Sequence, residues 1–391
     1  MRIVVAPDKF KDALDARGVG DAVAAGLRSV EPDADISVVP MADGGEGTLE
    51  AAVAAGFTLT PVSVTGPLGV TLEAAFAQQG STALIELARA SGLALVPRAH
   101  RDALSATSRG TGELIGAALE HGATSIMLAI GGSASTDGGA GMLSALGARL
   151  LDANGDTLPD GGGGLRRLER IDLEGLDSRV LDAQFILASD VNHVLLGPQG
   201  AASTFAPQKG ASVADIAQLE LGLTRFARML VAELERRAPH ETLPDFAQHA
   251  GAGAAGGVGF AALAVLRALQ RPGVDVVCEF TRLRAHLAGA DLVVTGEGSF
   301  DAQSLGGKTP IGVLHAAASL DIPTVAVCGR STLTEEQWRA AGFIACYSAL
   351  ERAPDRASSL RETRKYLTAI GAEIGAELRA DVDLAAGSAH R

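Results

Sequence analysis

Short buried strands alternate with amphipathic helices at both ends of this chain, and no other feature constrains its fold as much. The N-terminal part predicts strands over 2–6 and 36–39 and helices over 15–30 and 48–55. The C-terminal part predicts strands over 291–295, 324–327 and 343–347 and helices over 312–320 and 358–378. Alternation of this kind favours a parallel sheet whose strands are joined by helical crossovers.

The middle of the chain has a different pattern, which is typical of a mixed sheet. Strands are predicted close together over 62–64, 71–77 and 83–87, and later over 126–130 and 185–188; helices are predicted over 111–120 and within 211–237. The glycine run 161–164 indicates a surface loop. We therefore predict an α/β protein of two domains, as a length of 391 residues also favours. Residues 1–62 and 287–391 would form a discontinuous parallel domain, and 63–286 an inserted α/β domain with a mixed sheet.

Charge and composition exclude several classes of function. A net charge of −13 makes the chain a poor general binder of nucleic acid, because it repels phosphate backbones. No apolar run is long enough to span a bilayer, and the apolar run within the first ten residues is too short for a signal peptide. Three cysteines without CxxC spacing indicate neither a disulfide framework nor a zinc site. We expect a cytoplasmic protein that binds small molecules; the sequence leaves its oligomeric state open.

Two charged loops follow the first two strands, where parallel sheets carry their ligand sites. The first contains Asp8, Lys9 and Lys11, whose cations could hold a phosphate or a carboxylate, although a solvated loop is an equal alternative. The second, residues 42–48, contains Asp43 and Glu46 among glycines. Those carboxylates could hold Mg²⁺ or a substrate hydroxyl, or the segment could be a tight turn.

A glycine-rich loop over 130–141 lies between a predicted strand and a predicted helix. Its small residues leave backbone N–H groups open to a phosphate, with hydroxyl donors beside them. It matches neither the P-loop nor the dinucleotide fingerprint. Residues 251–257 are a similar, weaker candidate. The residues assigned to this phosphate site are Gly131, Gly132, Ser133, Ser135, Thr136, Asp137, Gly256 and Gly257.

The last charged segments suit phosphoryl transfer. Residues 295–308 form a predicted loop that contains Glu297, Asp301 and Lys308. Carboxylates and a lysine so close together suit metal-assisted transfer, which depends on positioning and charge neutralisation. Asp190 ends another predicted strand and could be a base, a metal ligand or a turn cap. No GxSxG elbow is present, so hydrolase chemistry has no support.

Eight segments in order along the chain resemble the bacterial glycerate kinase family. They are VAPDKFKDAL (5–14), ADGGEGT (42–48), VTGPLG (64–69), TSRGTGELI (107–115), IGGSASTDGGAGM (130–142), FAPQKGA (205–211), GAAGGVG (253–259) and VVTGEGSFDAQSLGGK (293–308). The resemblance implies ATP and Mg²⁺ as cofactors and D-glycerate as the acceptor, phosphorylated at its 2-hydroxyl to 2-phosphoglycerate. It also implies a discontinuous flavodoxin-like domain and an inserted domain, with the site in the cleft between them.

This reading gives the charged residues roles. Asp190 or Asp301 would accept the hydroxyl proton while the other helps Glu297 bind Mg²⁺. Lys308, Lys11 and Lys9 would neutralise the glycerate carboxylate or the transferring phosphoryl, and Asp8, Asp43 and Glu46 would complete the substrate site. Lys9 and Ser299 depart from the family pattern, where serine and arginine are usual. A kinase for a related small hydroxy acid and a non-catalytic nucleotide- or anion-binding protein of the same fold are therefore alternatives.

Overall fold

The computed structural model describes residues 1–388, with the side chains of residues 1–380. Its strands are β1 (Arg2–Pro7), β2 (Asp35–Val38), β3 (Thr58–Thr65), β4 (Thr71–Gln79), β5 (Thr82–Glu86), β6 (Ser125–Ala129), β7 (Arg149–Leu151), β8 (Arg170–Asp172), β9 (Gln184–Ala188), β10 (Leu269–Arg271), β11 (Leu292–Phe300), β12 (Thr324–Ser331) and β13 (Ala345–Ser348). Its α-helices are α1 (Ala16–Val30), α2 (Thr48–Ala54), α3 (Ala88–Ser91), α4 (Arg109–Glu120), α5 (Ala140–Ala145), α6 (Ser178–Asp182), α7 (Ala201–Phe205), α8 (Val213–Arg237), α9 (Val258–Ala264), α10 (Gly273–Phe280), α11 (Leu283–Leu287), α12 (Thr309–Ala318), α13 (Glu335–Ala341), α14 (Ala349–Arg352), α15 (Arg356–Arg361) and α16 (Thr363–Ser388).

The chain divides into two compact units. The first contains Met1–Asp43, Glu50–Ala55 and Val274–Arg391, and the second contains Gly44–Leu49 and Gly56–Gly273. The boundary expected after residue 62 would cut β3, which pairs with β4 from Thr58 to Thr65 and so belongs to the second unit. The boundary expected after residue 286 also differs, because the first unit takes up the chain again at Val274.

The first unit contains a five-stranded sheet in the order β13-β12-β11-β1-β2, with every neighbouring pair parallel. The parallel sheet predicted from both ends of the chain is confirmed. From β1 the chain moves to β2 on one side, and later it returns to β11 on the other side of β1. The point between β1 and β11 is therefore a topological switch point, where the two following loops diverge and leave room for a ligand.

Helices cover both faces of this sheet. On one face α1 and α16 bury aliphatic side chains against β1 and β11; Val19, Val23 and Leu27 follow one side of α1 at intervals of four residues. On the other face Ile311 and Leu314 of α12 pack with the strand residue Phe300. Aromatic residues make up only 4% of the chain, so this core depends on close aliphatic packing.

Helices α1 and α16 approach closely at a glycine. A Cβ added to Gly26 would lie 2.0 Å from the backbone oxygen of Thr368. We expect Gly26→Ala to lower the free energy of unfolding by about 1–3 kcal/mol, because the helices must separate. Chemical denaturation measures this value. The matched control is Gly116→Ala in α4, where an added Cβ has no atom within 4 Å. This substitution should raise the free energy of unfolding by about 0.5–1 kcal/mol, because alanine favours the helix more than glycine does. Equal stabilities for both variants would contradict the close helix contact.

The second unit contains a six-stranded mixed sheet in the order β10-β9-β6-β5-β4-β3. Strands β3, β4 and β5 pair antiparallel, whereas β5, β6, β9 and β10 run parallel. The mixed sheet predicted for the inserted segment is confirmed. Because the parallel strands end at one edge, Glu86 at the end of β5 lies along that edge with Gly131 after β6 and Asp190 after β9. No α-helix within residues 1–388 has the length and apolar character needed to cross a membrane.

The glycine run 161–164 is not a surface loop, as the sequence suggested. Gly161, Gly162 and Gly164 are buried, and a Cβ on Gly162 would lie 2.2 Å from the backbone oxygen of Thr136. The glycines are needed here because the chain passes directly against the loop that follows β6.

Candidate active site

Asp8 lies at the switch point of the first unit. It follows β1, and its N–H donates to the carbonyl oxygen of Gly296 on β11 at 2.8 Å. The Thr309 hydroxyl donates to Asp8 Oδ2 at 2.7 Å, and the Lys9 N–H donates to Asp8 Oδ1 at 2.6 Å. Thr309 is the first residue of the ten-residue helix α12. The carboxylate is thus held in one orientation beside a helix N-terminus, which favours negative charge.

The protonation of Asp8 is unusual for an aspartate. Burial raises its pKa from 3.8 to about 8, and the nearby Asp43 carboxylate adds to this effect. The hydrogen bonds from Thr309 and Lys9 oppose the rise only in part. A carboxylate whose pKa is close to neutral can both accept and release a proton during a reaction, as general bases do. Asp8 is therefore a candidate for a catalytic group.

Glu297 lies beside Lys308 in the same unit. Strand β11 continues to Phe300, so Glu297 is on the strand and not in the loop predicted from residue 295. Its side chain is 12% exposed, and Oε2 lies 3.8 Å from Lys308 Nζ. Burial raises its pKa, and Asp43 and Asp301 add to the rise, while a hydrogen bond from Ser304 and the charge of Lys308 oppose it. Glu297 Oε1 is buried and accepts no hydrogen bond from residues 1–380, which suits a cation ligand.

Asp301 closes the turn that leads into α12. Its Oδ1 accepts a hydrogen bond from the Gln303 N–H at 2.9 Å, and its own N–H donates to Ser304 Oγ at 2.9 Å. Ser299 Oγ lies 3.4 Å from Asp301 Oδ2 and accepts a hydrogen bond from Arg330 Nε at 3.2 Å. Through these contacts Asp301 stabilises the turn that precedes α12. Lys308 precedes α12; Lys9 is half-buried and Lys11 is exposed.

In the second unit, Asp190 and Glu46 lie near the carboxyl edge of the mixed sheet. Asp190 is exposed, and its Oδ1 accepts a hydrogen bond from the Gly273 N–H at 2.9 Å. Glu46 belongs to the turn before α2, which is tied to the sheet by the buried Glu86, whose Oε2 accepts from the Leu49 N–H at 3.0 Å. Arg89 Nε lies 3.4 Å from Glu86 Oε1. The sequence interpretation did not identify Glu86 or Arg89.

The glycine-rich loop after β6 has an accessible tip and a buried base. Gly132 is exposed and Gly131 is partly exposed. None of the N–H groups of Gly131, Gly132 and Ser133 donates a hydrogen bond to another residue of the described chain. Gly132 has φ +76, a conformation that can turn consecutive N–H groups toward one side. The tip therefore has the properties of an anion-binding turn.

The base of the same loop is packed into the unit. The Asp137 carboxylate is fully buried and accepts hydrogen bonds from the Ser108 N–H and hydroxyl at 2.9 and 2.8 Å. A Cβ on Gly256 would lie 2.1 Å from the backbone oxygen of Ser135, and one on Gly257 would lie 2.7 Å from Gly138 Cα. Asp137, Gly256 and Gly257 thus hold the shape of the loop. The hydroxyls of Ser135 and Thr136 are buried and have no hydrogen-bond partner among residues 1–380.

Comparison with known proteins identifies the relatives of this chain. The profile of the Glycerate kinase family matches residues 3–379. The chain belongs to the glycerate kinase family. It is 42% identical over 382 residues to "Glycerate kinase" of Bacillus subtilis (strain 168), covering 97% of this chain and 98% of that protein. It is 47% identical over 335 residues to "Glycerate 2-kinase" of Escherichia coli (strain K12), covering 85% and 86%.

A solved structure supports the fold of this glycerate kinase family member. The crystal structure of a proposed glycerate kinase 2 from Salmonella typhimurium LT2 has a TM-score of 0.85 and 41% sequence identity, covering 98% of this chain and 99% of that one. The predictions of the family, of an α/β fold and of a kinase are confirmed. The roles of individual site residues stay predictions.

In this glycerate kinase family member, the structure identifies two further residues near the candidate site that the sequence did not. Thr309 orients Asp8, and Lys209 is buried under the loop that follows β6. Lys209 lies in FAPQKGA (205–211), a motif that pointed to the family without a chemical task for the lysine. The signal available in the sequence was a single lysine in an otherwise uncharged segment.

Proposed function

We propose that the protein phosphorylates D-glycerate at its 2-hydroxyl with ATP, giving 2-phosphoglycerate and ADP. Membership of the glycerate kinase family supports the reaction class and the acceptor. The name of the Escherichia coli relative, "Glycerate 2-kinase", supports the 2-position. The observation that carries the proposal is the buried Asp8 carboxylate, held at the switch point of the first unit with a pKa of about 8.

Asp8 is the proposed acceptor of the hydroxyl proton. As the glycerate oxygen bonds to the γ-phosphorus of ATP, the bond from that phosphorus to the β–γ bridging oxygen breaks, and the proton passes to Asp8 Oδ1 or Oδ2. The sequence had assigned this role to Asp190 or Asp301. Asp8 suits it better because Asp190 is exposed and Asp301 is held in a turn, whereas burial tunes Asp8 toward neutral pH.

Positive groups of the first unit balance the anionic reactants. Lys308 precedes α12 and neutralises the transferring phosphoryl, while Lys9 and Lys11 attract the glycerate carboxylate. Glu297, with its unused buried oxygen, is the carboxylate best suited to help hold Mg²⁺. Within residues 1–380, no group of three or more His, Cys, Asp or Glu side chains forms a metal site. Mg²⁺ in kinases is bound by one or two carboxylates together with the nucleotide phosphates. When bound, Mg²⁺ supplies charge neutralisation at those phosphates.

The phosphates of ATP are assigned to the tip of the loop after β6. Three consecutive N–H groups, from Gly131 to Ser133, are available there. The buried carboxylate of Asp137 and the glycines 256 and 257 support the loop from beneath and do not contact the nucleotide themselves. The sequence assigned the phosphates to the whole segment 131–137, whereas this proposal assigns them to its accessible end, residues 131–133.

Product identification tests the proposed function. The protein is incubated with ATP, Mg²⁺ and D-glycerate, and the products are followed by phosphorus NMR and an ADP assay. We expect one 2-phosphoglycerate for each ADP formed. Formation of 3-phosphoglycerate would refute the position of transfer. Faster turnover of a longer or doubly acidic hydroxy acid would favour a related kinase, and absence of ADP with every acceptor would favour a non-catalytic binding protein.

A further inference from the structure

Lys209 is a buried cation to which the mechanism above gives no task. It ends the short turn Pro207–Lys209 in the second unit, and only 2% of its surface is exposed. Its ammonium donates a hydrogen bond to Ser133 Oγ at 3.0 Å and another to the carbonyl oxygen of Ser135. The two acceptors lie in the loop after β6, one at the end of its accessible tip and one in its buried base.

The charge of Lys209 is not neutralised by a neighbouring carboxylate. Its two hydrogen-bond acceptors are a hydroxyl and a carbonyl oxygen, both uncharged. Asp137 is the charged group that attracts it, but that carboxylate already accepts hydrogen bonds from Ser108, Gly139 and Gly141. The other charged group on a packed segment is Arg101, which donates to the Gln208 carbonyl oxygen at 3.0 Å.

Burial without a paired anion costs stability. Burial lowers the pKa of Lys209 from 10.5 to about 7, and the attraction of Asp137 restores only part of this. An apolar side chain of similar length would fit such a position at lower cost. The stability of the unit therefore does not explain a lysine here. An anionic ligand bound at the loop would offset the cost of burying the positive charge of Lys209.

The loop above Lys209 is the place where such a ligand would bind. The N–H groups of Gly131, Gly132 and Ser133 have no acceptor among residues 1–380, and Gly132 is exposed. Lys209 itself is too deep to touch a ligand at the tip. It can act on the tip through the Ser133 hydroxyl, which it fixes, and through its charge.

We propose that Lys209 is a positioning residue of the nucleotide-phosphate site: its ammonium fixes Ser133 and Ser135, aligns the N–H groups of residues 131–133, and gives the loop a positive charge. This inference rests on the proposed use of ATP. It separates nucleotide binding from acceptor binding, because the loop and Lys209 belong to the second unit, whereas Asp8, Lys9 and Lys11, which the proposed function assigns to glycerate, belong to the first. Loss of Lys209 should therefore affect the affinity for ATP and not that for glycerate.

Lys209→Met tests the inference in the full-length protein. We expect the Kd for ATP, measured by calorimetry, to rise about 10- to 100-fold, since a hydrogen-bonded charge is lost. The KM for glycerate at saturating ATP should stay unchanged. Lys365→Met removes the same charge from an exposed helix position, where the lysine pairs with Glu362, and should leave the Kd for ATP as in the wild type. Ser133→Ala should weaken ATP binding too, and adding it to Lys209→Met should bring little further loss.

The pH dependence distinguishes this role from a structural one. Between pH 7 and 9 the terminal phosphate of ATP is already ionised, since such groups titrate at about pH 6. Over that range the wild type should bind ATP less tightly as Lys209 loses its proton, whereas Lys209→Met should show no such trend. Burial lowers the pKa of Lys209 in the folded protein to about 7. Below pH 7 the buried charge therefore lowers the free energy of unfolding by its full amount, and the free energy of unfolding increases again as pH rises above 7. The variant should thus gain more thermal stability at pH 6 than at pH 9.

Each outcome decides between the alternatives. An unchanged Kd for ATP in Lys209→Met, while the wild type turns over glycerate, overturns the inference and leaves the proposed function intact. A lowered unfolding temperature, with kcat and both KM values affected together, shows a structural role only and also overturns it. If the wild type binds ATP and responds as expected but phosphorylates no hydroxy acid, the proposed function fails and the role of Lys209 stands.

Discussion

Asp8→Asn is expected to reduce kcat by about 10²- to 10⁴-fold, the usual contribution of a positioned general base. Asparagine has the same shape and can still accept the hydrogen bond from Thr309, but it cannot take the proton of the acceptor hydroxyl. The KM for ATP should change little, because Asp8 is assigned to the acceptor. Steady-state kinetics with D-glycerate and an ADP-coupled assay measure these values.

The pH profile gives a second readout for Asp8. Because the base must be ionised, kcat/KM for glycerate should rise tenfold per pH unit below about pH 8 and level off above it, given the raised pKa. The free energy of unfolding should instead decrease as pH rises over this range. The folded pKa is raised, so ionisation of Asp8 weakens the fold as pH rises from about 4 to about 8, and Asp8→Asn should unfold at the same or a higher temperature at pH 8.

The control for Asp8 lies in the same loop. Asp12 is exposed and has φ +64, a left-handed conformation that asparagine also tolerates. Asp12→Asn makes the same chemical change four residues away and should keep kcat within about twofold of the wild type, since surface changes are usually small. Near-normal turnover in a folded Asp8→Asn protein would exclude Asp8 as the base and return attention to Asp190 and Asp301.

Lys308→Met is expected to lower kcat by about 10²- to 10³-fold, the cost of removing one group that stabilises charge in a transition state. Both kcat and kcat/KM should fall together, because the lysine is assigned to the transferring phosphoryl and not to ground-state binding. Glu297 would also lose the cation 3.8 Å from its Oε2. Initial rates over a matrix of ATP and glycerate concentrations separate these effects.

Lys11→Met provides the contrast for Lys308. Lys11 is exposed in the loop after β1 and is assigned to attraction of the glycerate carboxylate. Its loss should raise the KM for glycerate while kcat stays close to that of the wild type. If Lys308→Met behaved in this way instead, with an unchanged kcat, Lys308 would be a binding residue and the charge of the transferring phosphoryl would need another partner.

Local sequence patterns predicted the bounds of strands and helices well where the apolar residues of the pattern are the ones that pack in the core. β1 and α1 appear within one residue of the predicted bounds, because β-branched runs and four-residue apolar spacing are direct signals of a buried strand and an amphipathic helix. The start of the glycine-rich loop, after β6, was also predicted. Sequence could not predict that β11 extends to Phe300, since that strand is completed by pairing with β12 through Ser331.

The sequence alone determined the family, the α/β class, the parallel sheet made from both chain ends and the segments that carry charge at strand ends, because these follow from local periodicity and from ordered motifs. Tertiary structure alone decided which of those groups are chemically unusual. Asp8 and Lys209 occur in segments like many others, and burial in the folded chain shifts the pKa of each. Their hydrogen-bond partners are far away in the chain: Thr309 for Asp8 and Ser133 for Lys209. Desolvation depends on the whole fold, so no local pattern reveals it.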